Sequence, residues 1–361
     1  MTRRRFLQAF AAAPVSATAV SRAAAVLAAP APAARPQIVP PDASFMATLP
    51  DLLEVSSVPG ISIGVVQRGR PVWQAQAGVT GLKMKTPVSA QTIWKAASLS
   101  KQVTGYAALR LVDAGELELD RPLADYLAAD APSNPAARKI TARHVLTHSS
   151  GLPNWRRTAE LVPEFAPGTG FRYSGEGYFY LARCLERITG LAFESHMQAR
   201  VFAPLGMASS TYLWRADLAT DLATGYHWEN VAWDDAAWRD AVHRKLSSGG
   251  LPPEQWTLDR VAAAMAPTAS PDQGIPLLPG SVYYPNPAMS LMTRVPDYLA
   301  AVARFTTVLG DGLDLSARSR AMAAAPMVPV NHAVSWGLGW GIEHAHGTSY
   351  LFQHGSLAGR A

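Results

Sequence analysis

The stretch SLSKQVTGYAALRLVDAG, residues 98–115, changes the periodicity of the chain from strand to helix. Val103, Tyr106, Ala107, Leu109 and Leu111 recur at helical spacing, and Gly115 stands just past the end as a stop signal. A helix is therefore predicted to begin at or just before Ser98. Ser98 and Lys101 are then three residues apart on one face, with Cβ atoms about 5–6 Å apart, so an amine can meet a hydroxyl. A free lysine, with a pKa of about 10.4, is a poor base at neutral pH. Desolvation lowers that value, and a helix N-terminus disfavours the charged amine while favouring an oxyanion beside Ser98. A serine nucleophile without histidine is thus chemically available. Taken alone, the S-x-x-K spacing is better explained by chance on a solvated helix face.

Working outward, Ile61–Val66 and Pro71–Ala77 are two β-rich runs joined by Gln67-Arg68-Gly69-Arg70, a hairpin near the start of the folded part. Further helices are expected at Ala142–His148, Glu176–Thr189 and Phe193–Phe202, and residues 208–285 are irregular and rich in Pro, Asp and Trp. Ser335–Glu343 (SWGLGWGIE) and Ser349–Gln353, separated by His346-Gly347-Thr348, are again expected to be hairpin strands. The expected architecture is α+β, an antiparallel sheet with flanking helices plus a mainly helical lobe. The sheet lobe takes residues 45–95 and 330–361, the helical lobe takes residues 96–329, and a cleft lies between them.

The 361 residues, 48% hydrophobic and 16% charged, suit a globular protein with a large core, and no internal repeat or long Gly/Ser linker divides residues 35–361 into separate domains. The net charge of +5 is misleading. Arg3, Arg4, Arg5 and Arg22 lie in the first 34 residues, which hold no Asp or Glu, so without that leader the balance is about +1 and a nucleic-acid partner loses its support. Residues 1–34 have a charged start, a weakly apolar Ala-rich run and small-residue sites such as Ala29-Pro30-Ala31, the pattern of a secretory signal; twin arginines before Phe6-Leu7 resemble a Tat signal. Pro14, Ser16, Thr18, Ser21 and Arg22 break the run short of the roughly 18 apolar residues of a membrane span. A soluble periplasmic or secreted mature protein is expected. Cys184 is the single cysteine, so no intramolecular disulfide forms, and its apolar helical surroundings mark a buried structural thiol.

Ser98-Leu99-Ser100-Lys101 does not stand alone. With Ile140–Leu152 (ITARHVLTHSSGL), Tyr173-Ser174-Gly175, Phe202-Ala203-Pro204-Leu205-Gly206-Met207 and Gly337-Leu338-Gly339-Trp340-Gly341, in that order, the chain from about Pro59 to its last residue resembles the serine β-lactamase and penicillin-binding-protein superfamily. The branch it is most similar to holds class C β-lactamases, D-amino-acid peptidases and β-lactamase-like esterases. The resemblance implies that Ser98 is acylated by an ester, amide or β-lactam carbonyl, that Lys101 and Tyr173 move the proton, and that water releases the acyl group. A phenol helps only if a nearby cation lowers its pKa, and Lys101 is the candidate. The family's second motif is often Tyr-x-Asn, whereas Gly175 holds the third position here, so an amide that would bind substrate is missing.

The family's third element is Lys-Thr-Gly or His-x-Gly on the strand edging the cleft, and Phe352-Gln353-His354-Gly355-Ser356-Leu357-Ala358-Gly359 offers two registers for it. With His354 first, Ser356 replaces the glycine. With Gln353 first, Gly355 and Gly359 both fall where the family has glycine and Ser356 supplies the oxyanion amide; this register is the one favoured. Neither register contains lysine, so the cation that would grip a penicillin or D-Ala carboxylate is absent unless protonated His354 or an arginine substitutes. Esters and amides without that carboxylate gain weight. His144 and His148 have the spacing of a zinc helix, but Val145 stands where the general base would be; no G-x-S-x-G occurs, and neither a metal nor another cofactor is implied. Trp155, Trp214, Trp228, Trp233 and Trp238 suit core or lid packing better than an acyl pocket.

The family continues past this motif with two strands and a helix, so the chain, ending at Arg360-Ala361, is expected either to be a fragment or to be a truncated product that folds poorly, with an unpaired strand edge and an uncovered apolar face. The sequence leaves two functions open. One is an exported serine hydrolase acting on esters, D-peptides or β-lactams; the other is a catalytically silent protein that binds peptidoglycan or acyl ligands.

Overall fold

A computed structural model describes residues 39–156, 160–226, 232, 234–247, 250–264 and 282–357. Residues 1–34, Trp228, Trp233, Gly359 and the side chain of Trp238, each named above, lie outside the described residues.

In chain order the elements are α1 (Ala43–Val55), β1 (Gly60–Gln67), β2 (Arg70–Gly78), β3 (Trp94–Lys95), α2 (Ser100–Asp113), α3 (Ala124–Leu127), α4 (Ala142–Leu146), α5 (Gly175–Thr189), α6 (Phe193–Met197), α7 (Ala203–Leu205), α8 (Asp235–Leu246), α9 (Leu258–Ala264), β4 (Met292–Thr293), α10 (Val295–Thr306), α11 (Ala317–Ala324), β5 (Val328–Pro329), β6 (Val334–Trp336), β7 (Gly341–Ala345) and β8 (Thr348–Phe352). Every described ladder between these strands is antiparallel: β1 with β2, β3 with β4, and β5-β6-β7-β8 in sequence order. The expected α+β class holds.

Two helices form the middle of the core. Ser174 caps α5 by accepting from the Gly177 N–H at 2.9 Å, and Gly190, at φ +69°, ends it in the left-handed conformation that glycine adopts without Cβ strain. Between these caps Tyr178, Leu181, Ala182, Cys184 and Leu185 are wholly buried. Truncating either leucine to alanine would cost about 2–5 kcal/mol. Burial pushes the Cys184 thiol up to about 12, which agrees with a structural and unreactive sulfur. Helix α2 is buried from Ser100 through Leu109, polar residues included. Buried hydroxyls must find partners, and here they do. Thr104 Oγ1 donates to Pro287 O at 2.8 Å, and the Tyr212 hydroxyl donates to Ser100 O at 2.8 Å.

Four expectations need correction. The helix expected from Ser98 divides into a 3₁₀ turn, Ala97–Leu99, and α2 proper. The run Ser335–Glu343 is not one strand: Gly337 makes a close approach, since a Cβ there would stand 2.3 Å from Ala323 O, and Gly339 has φ +82°, so the chain turns between β6 and β7. Phe193–Phe202 begins as α6 but continues through residues 198–202 as a π-helical turn. Residues 208–285 are not wholly irregular, because α8 and α9 lie within them; Asp234 caps α8 by accepting from Ala237 N at 2.9 Å. Helices α1, α10 and α11 had no counterpart in the sequence expectations. No described helix is long and apolar enough to cross a membrane.

Candidate active site

Ser98 lies on the 3₁₀ turn between β3 and α2, half-buried. Ala97, immediately before it, has φ +48°, a conformation that costs an L-residue on the order of 1–2 kcal/mol. Neighbours hold it there. Ser100 Oγ donates to Ala97 O at 2.5 Å and accepts from Leu291 N at 3.0 Å, while Ala96 N donates to Leu291 O at 2.7 Å. The turn that carries Ser98 is thus pinned to residues nearly 200 positions later in the chain.

Lys101 reaches back along the same face, and its Nζ stands 3.1 Å from Ser98 Oγ. The side chain is 1% exposed and Nζ donates to Ala288 O at 2.9 Å; no carboxylate is among the partners that shift it. With desolvation unopposed, its pKa falls from 10.5 to about 7. The amine is therefore substantially neutral at physiological pH. The Ala288 carbonyl is held by a buried turn in which Ala288 N donates to Asn286 Oδ1 at 3.0 Å and Ser290 Oγ donates to Tyr212 O at 2.7 Å.

Tyr173 comes from the loop before α5. Its hydroxyl is hydrogen-bonded to Ser98 and accepts from Gln353 Nε2 at 2.8 Å. Lys101 Nζ lies over the Tyr173 ring, 4.8 Å from the centroid. Burial pushes the phenol above its ordinary range, and only the Ser98 and Gln353 hydrogen bonds pull it back. This corrects the expectation that Lys101 acts as a cation depressing the phenol's pKa. The amine approaches the ring face, not the hydroxyl, and the same burial that neutralises Lys101 keeps Tyr173 protonated.

At the end of β8, Gln353 turns its amide into this cluster: besides Tyr173, it accepts at Oε1 from Gln102 Nε2 at 3.1 Å. His354 is exposed, with its ring 5.1 Å from that of Phe352 and its carbonyl accepting from Gln353 Nε2. Gly355 runs against the turn that carries Ser98, where a Cβ would stand 2.6 Å from Ala96 O. Ser356 follows on the exposed side. Ser98, Lys101, Tyr173 and Gln353 are thus brought together, Gly355 abuts them through backbone, and the His354 side chain stays outside.

Two further participants, Gln102 and Ala288, were not singled out from sequence, and Trp155 was expected in core or lid packing. Gln102, next to Lys101, donates to both Gly339 O at 2.6 Å and Gln353, tying α2 to the C-terminal strands. Ala288 contributes only a carbonyl, for which no side-chain signal exists. Trp155 fills the space beside Gly175, where a Cβ would meet its ring carbons at 2.7 Å, so an aromatic edge takes the volume that the missing amide would need. His144 and His148 act separately: Nδ1 of the first accepts from Thr141 N at 3.2 Å in a capping box, and Nδ1 of the second accepts from Ser174 N at 3.0 Å. Among the described residues no group of three or more His, Cys, Asp or Glu is arranged to hold a metal.

A family model described as Beta-lactamase matches residues 23–361, nearly the whole chain. The chain belongs to the beta-lactamase family. Within it, the chain is 30% identical over 174 residues to Esterase EstB of Burkholderia gladioli, an alignment covering 40% of this chain and 44% of that protein. It is also 30% identical over 173 residues to a Beta-lactamase of Escherichia coli (strain K12), covering 44% and 45% respectively. The chain therefore spans less than half the length of these relatives. In fold, this beta-lactamase-family chain is similar to the octameric penicillin-binding protein homologue from Pyrococcus abyssi, with a TM-score of 0.64 at 21% identity, covering 88% of this chain and 68% of that one. A class C beta lactamase matches with a TM-score of 0.60 at 18% identity, over 83% and 74%.

Proposed function

We propose that this beta-lactamase-family protein is an exported serine hydrolase that forms an acyl-enzyme on Ser98. The observation that carries the reading is the Lys101 amine, buried without a carboxylate partner and 3.1 Å from Ser98 Oγ. Neutral Lys101 takes the Ser98 proton as Oγ attacks the substrate carbonyl carbon, and the oxyanion that forms is met by the backbone N–H groups of Ser98 and Ser356. This assigns Gln353 the first position of the third motif, in keeping with its contact to Tyr173. Tyr173, kept protonated by burial, then donates to the leaving alkoxide or amine as the carbonyl re-forms, and it is reprotonated from Lys101. Water next attacks the ester on Ser98 and returns the proton to Oγ.

Esters and simple amides are the favoured substrates, since Gln353 supplies no cation for a carboxylate and the apolar edge of Trp155 supplies no amide for a β-lactam side chain. The Esterase EstB relative supports this choice. The leader with Arg3, Arg4 and Arg5 supports export to the periplasm or beyond.

Mass spectrometry after treatment with a fluorophosphonate tests the nucleophile. The adduct is expected on Ser98, lost in Ser98→Ala, with a labelling rate that rises with pH to a plateau above about 7, as Lys101 deprotonates. An unlabelled wild type, or labelling that persists in Ser98→Ala, refutes the proposal and leaves the silent binding protein. Turnover of p-nitrophenyl esters without reaction of a fluorescent penicillin separates esterase from β-lactamase.

A further inference from the structure

The segment Thr147–Leu152 carries a buried histidine for which the chemistry above has no use. His148 is 1% exposed, has φ +54°, and its Nε2 has no hydrogen-bond partner among the described residues. A β-carbon-bearing residue in this conformation with an orphaned buried nitrogen is a costly choice, on the order of 1–3 kcal/mol for each feature.

What His148 does instead is bracket Tyr173. Its carbonyl accepts from Arg172 N at 2.7 Å and its Nδ1 accepts from Ser174 N at 3.0 Å, so the residues on either side of Tyr173 are both tied to His148 through their backbone N–H groups. Its ring stacks on the phenol ring, with centroids 4.2 Å apart and a 32° tilt. Trp336 from β6 closes the other side, edge-on at 4.9 Å to the imidazole and 5.8 Å to Tyr173, and Phe171 and Tyr178 complete the aromatic box. Because Nδ1 accepts from a backbone N–H, the ring must be the neutral Nε2–H tautomer. Burial opposes its protonation, and Lys101, whenever it is protonated, adds to that opposition.

We propose that His148 is a positioning residue for Tyr173: the two hydrogen bonds fix the backbone on either side of the tyrosine, and the stacked ring fixes the angle at which its hydroxyl meets Ser98. The inference rests on the acyl-enzyme reading above, and it assigns His148 no proton transfer. A neutral imidazole suits this place because a charged ring beside the Lys101 amine would compete for the same desolvated volume.

Two variants separate the interactions. His148→Asn keeps an acceptor, Oδ1, at the position of Nδ1 but removes the ring, whereas His148→Phe keeps a ring and removes the acceptor. With p-nitrophenyl ester turnover and fluorophosphonate labelling of Ser98, His148→Phe is expected to lower kcat at least tenfold with KM changed less than about threefold, and His148→Asn to recover a good part of that loss. In a Tyr173→Phe background neither substitution should slow the reaction further. If His148→Phe does not fold, the comparison of His148→Asn with and without Tyr173→Phe carries the test. Full activity in both folded variants, or equal slowing with and without Tyr173, overturns the proposal. Nitrogen-15 NMR gives a readout independent of turnover: Nδ1 should resonate as an unprotonated nitrogen from about pH 5 to 8, and a protonated Nδ1 in that range also overturns it. Loss of labelling in the wild type would instead strike the nucleophile reading alone.

Discussion

Replacing Lys101 with methionine should raise the stability of the protein while abolishing its activity. The amine titrates at about 7 in the folded protein against 10.5 in an exposed chain. Each tenfold step in that equilibrium is about 1.4 kcal/mol, so at or below pH 7 the buried amine costs about 5 kcal/mol of folding stability. Methionine removes that cost, but leaves Ala288 O without its buried donor, a loss of about 1–3 kcal/mol. The net gain is about 2–4 kcal/mol. For a folded unit of roughly 300 residues, unfolding entropy of about 2.1 cal/mol/K per residue converts this to a rise in Tm of about 3–6 °C. The sign with pH follows from linkage. Because the folded value is depressed, the penalty is complete below about 7, shrinks as pH rises toward 10.5, and vanishes above it, so the gap between Lys101→Met and wild type should narrow with pH. Calorimetry of both proteins at about pH 6, 8 and 10 reads this directly, and ester turnover should fall by about 10²–10⁴. A Lys101→Met protein that melts no higher than wild type at pH 6, or a gap that does not close by pH 10, would refute the neutral-amine account.

Other perturbations follow from close approaches. Gly355→Ala places a Cβ 2.6 Å from the Ala96 carbonyl, a backbone atom that cannot swing away, so the turn holding Ser98 should shift and labelling should slow at least tenfold; a wild-type rate would contradict the packing. Gly175→Asn restores the more usual residue of the family's motif, but its Cβ would stand 2.7 Å from the Trp155 ring, so this substitution alone should lower Tm. Adding Trp155→Ala should relieve that strain, with a coupling of about 1–3 kcal/mol in a double-mutant cycle of melting curves, and additive effects would show that the two positions do not compete for space.

The site was legible where chemistry is carried by side chains in fixed order. The spacing of Ser98 and Lys101 made them candidates, and the resemblance of the flanking motifs to the family added Tyr173 and the register that places Gln353 first. The roles were less legible, because protonation depends on burial and not on residue type: nothing in the string 98–101 says that Lys101 lacks a carboxylate neighbour or that its amine meets a ring face. Ala288 was invisible because a carbonyl has no letter of its own. Helices α8 and α9 were hidden by the Pro, Asp and Trp content around them, and the turn at Gly337–Gly339 was hidden by aromatic neighbours that favour strands. The hairpin β1–β2 was plain because two β-rich runs and a Gly-containing turn agree there.

The contacts of Gln353 also bear on when this protein becomes reactive. Gln102 and Gln353 are 251 residues apart, and Lys101 and Ala288 are 187 apart. A ribosome adding 5–20 residues per second needs roughly 10–50 s to travel from the first member of the longer pair to the second. Throughout that interval Ser98 is an ordinary alcohol beside a solvated ammonium, because the walls that dry Lys101 have not been made. On the proposed mechanism the serine is born latent, and strand β8 acts as its arming pin.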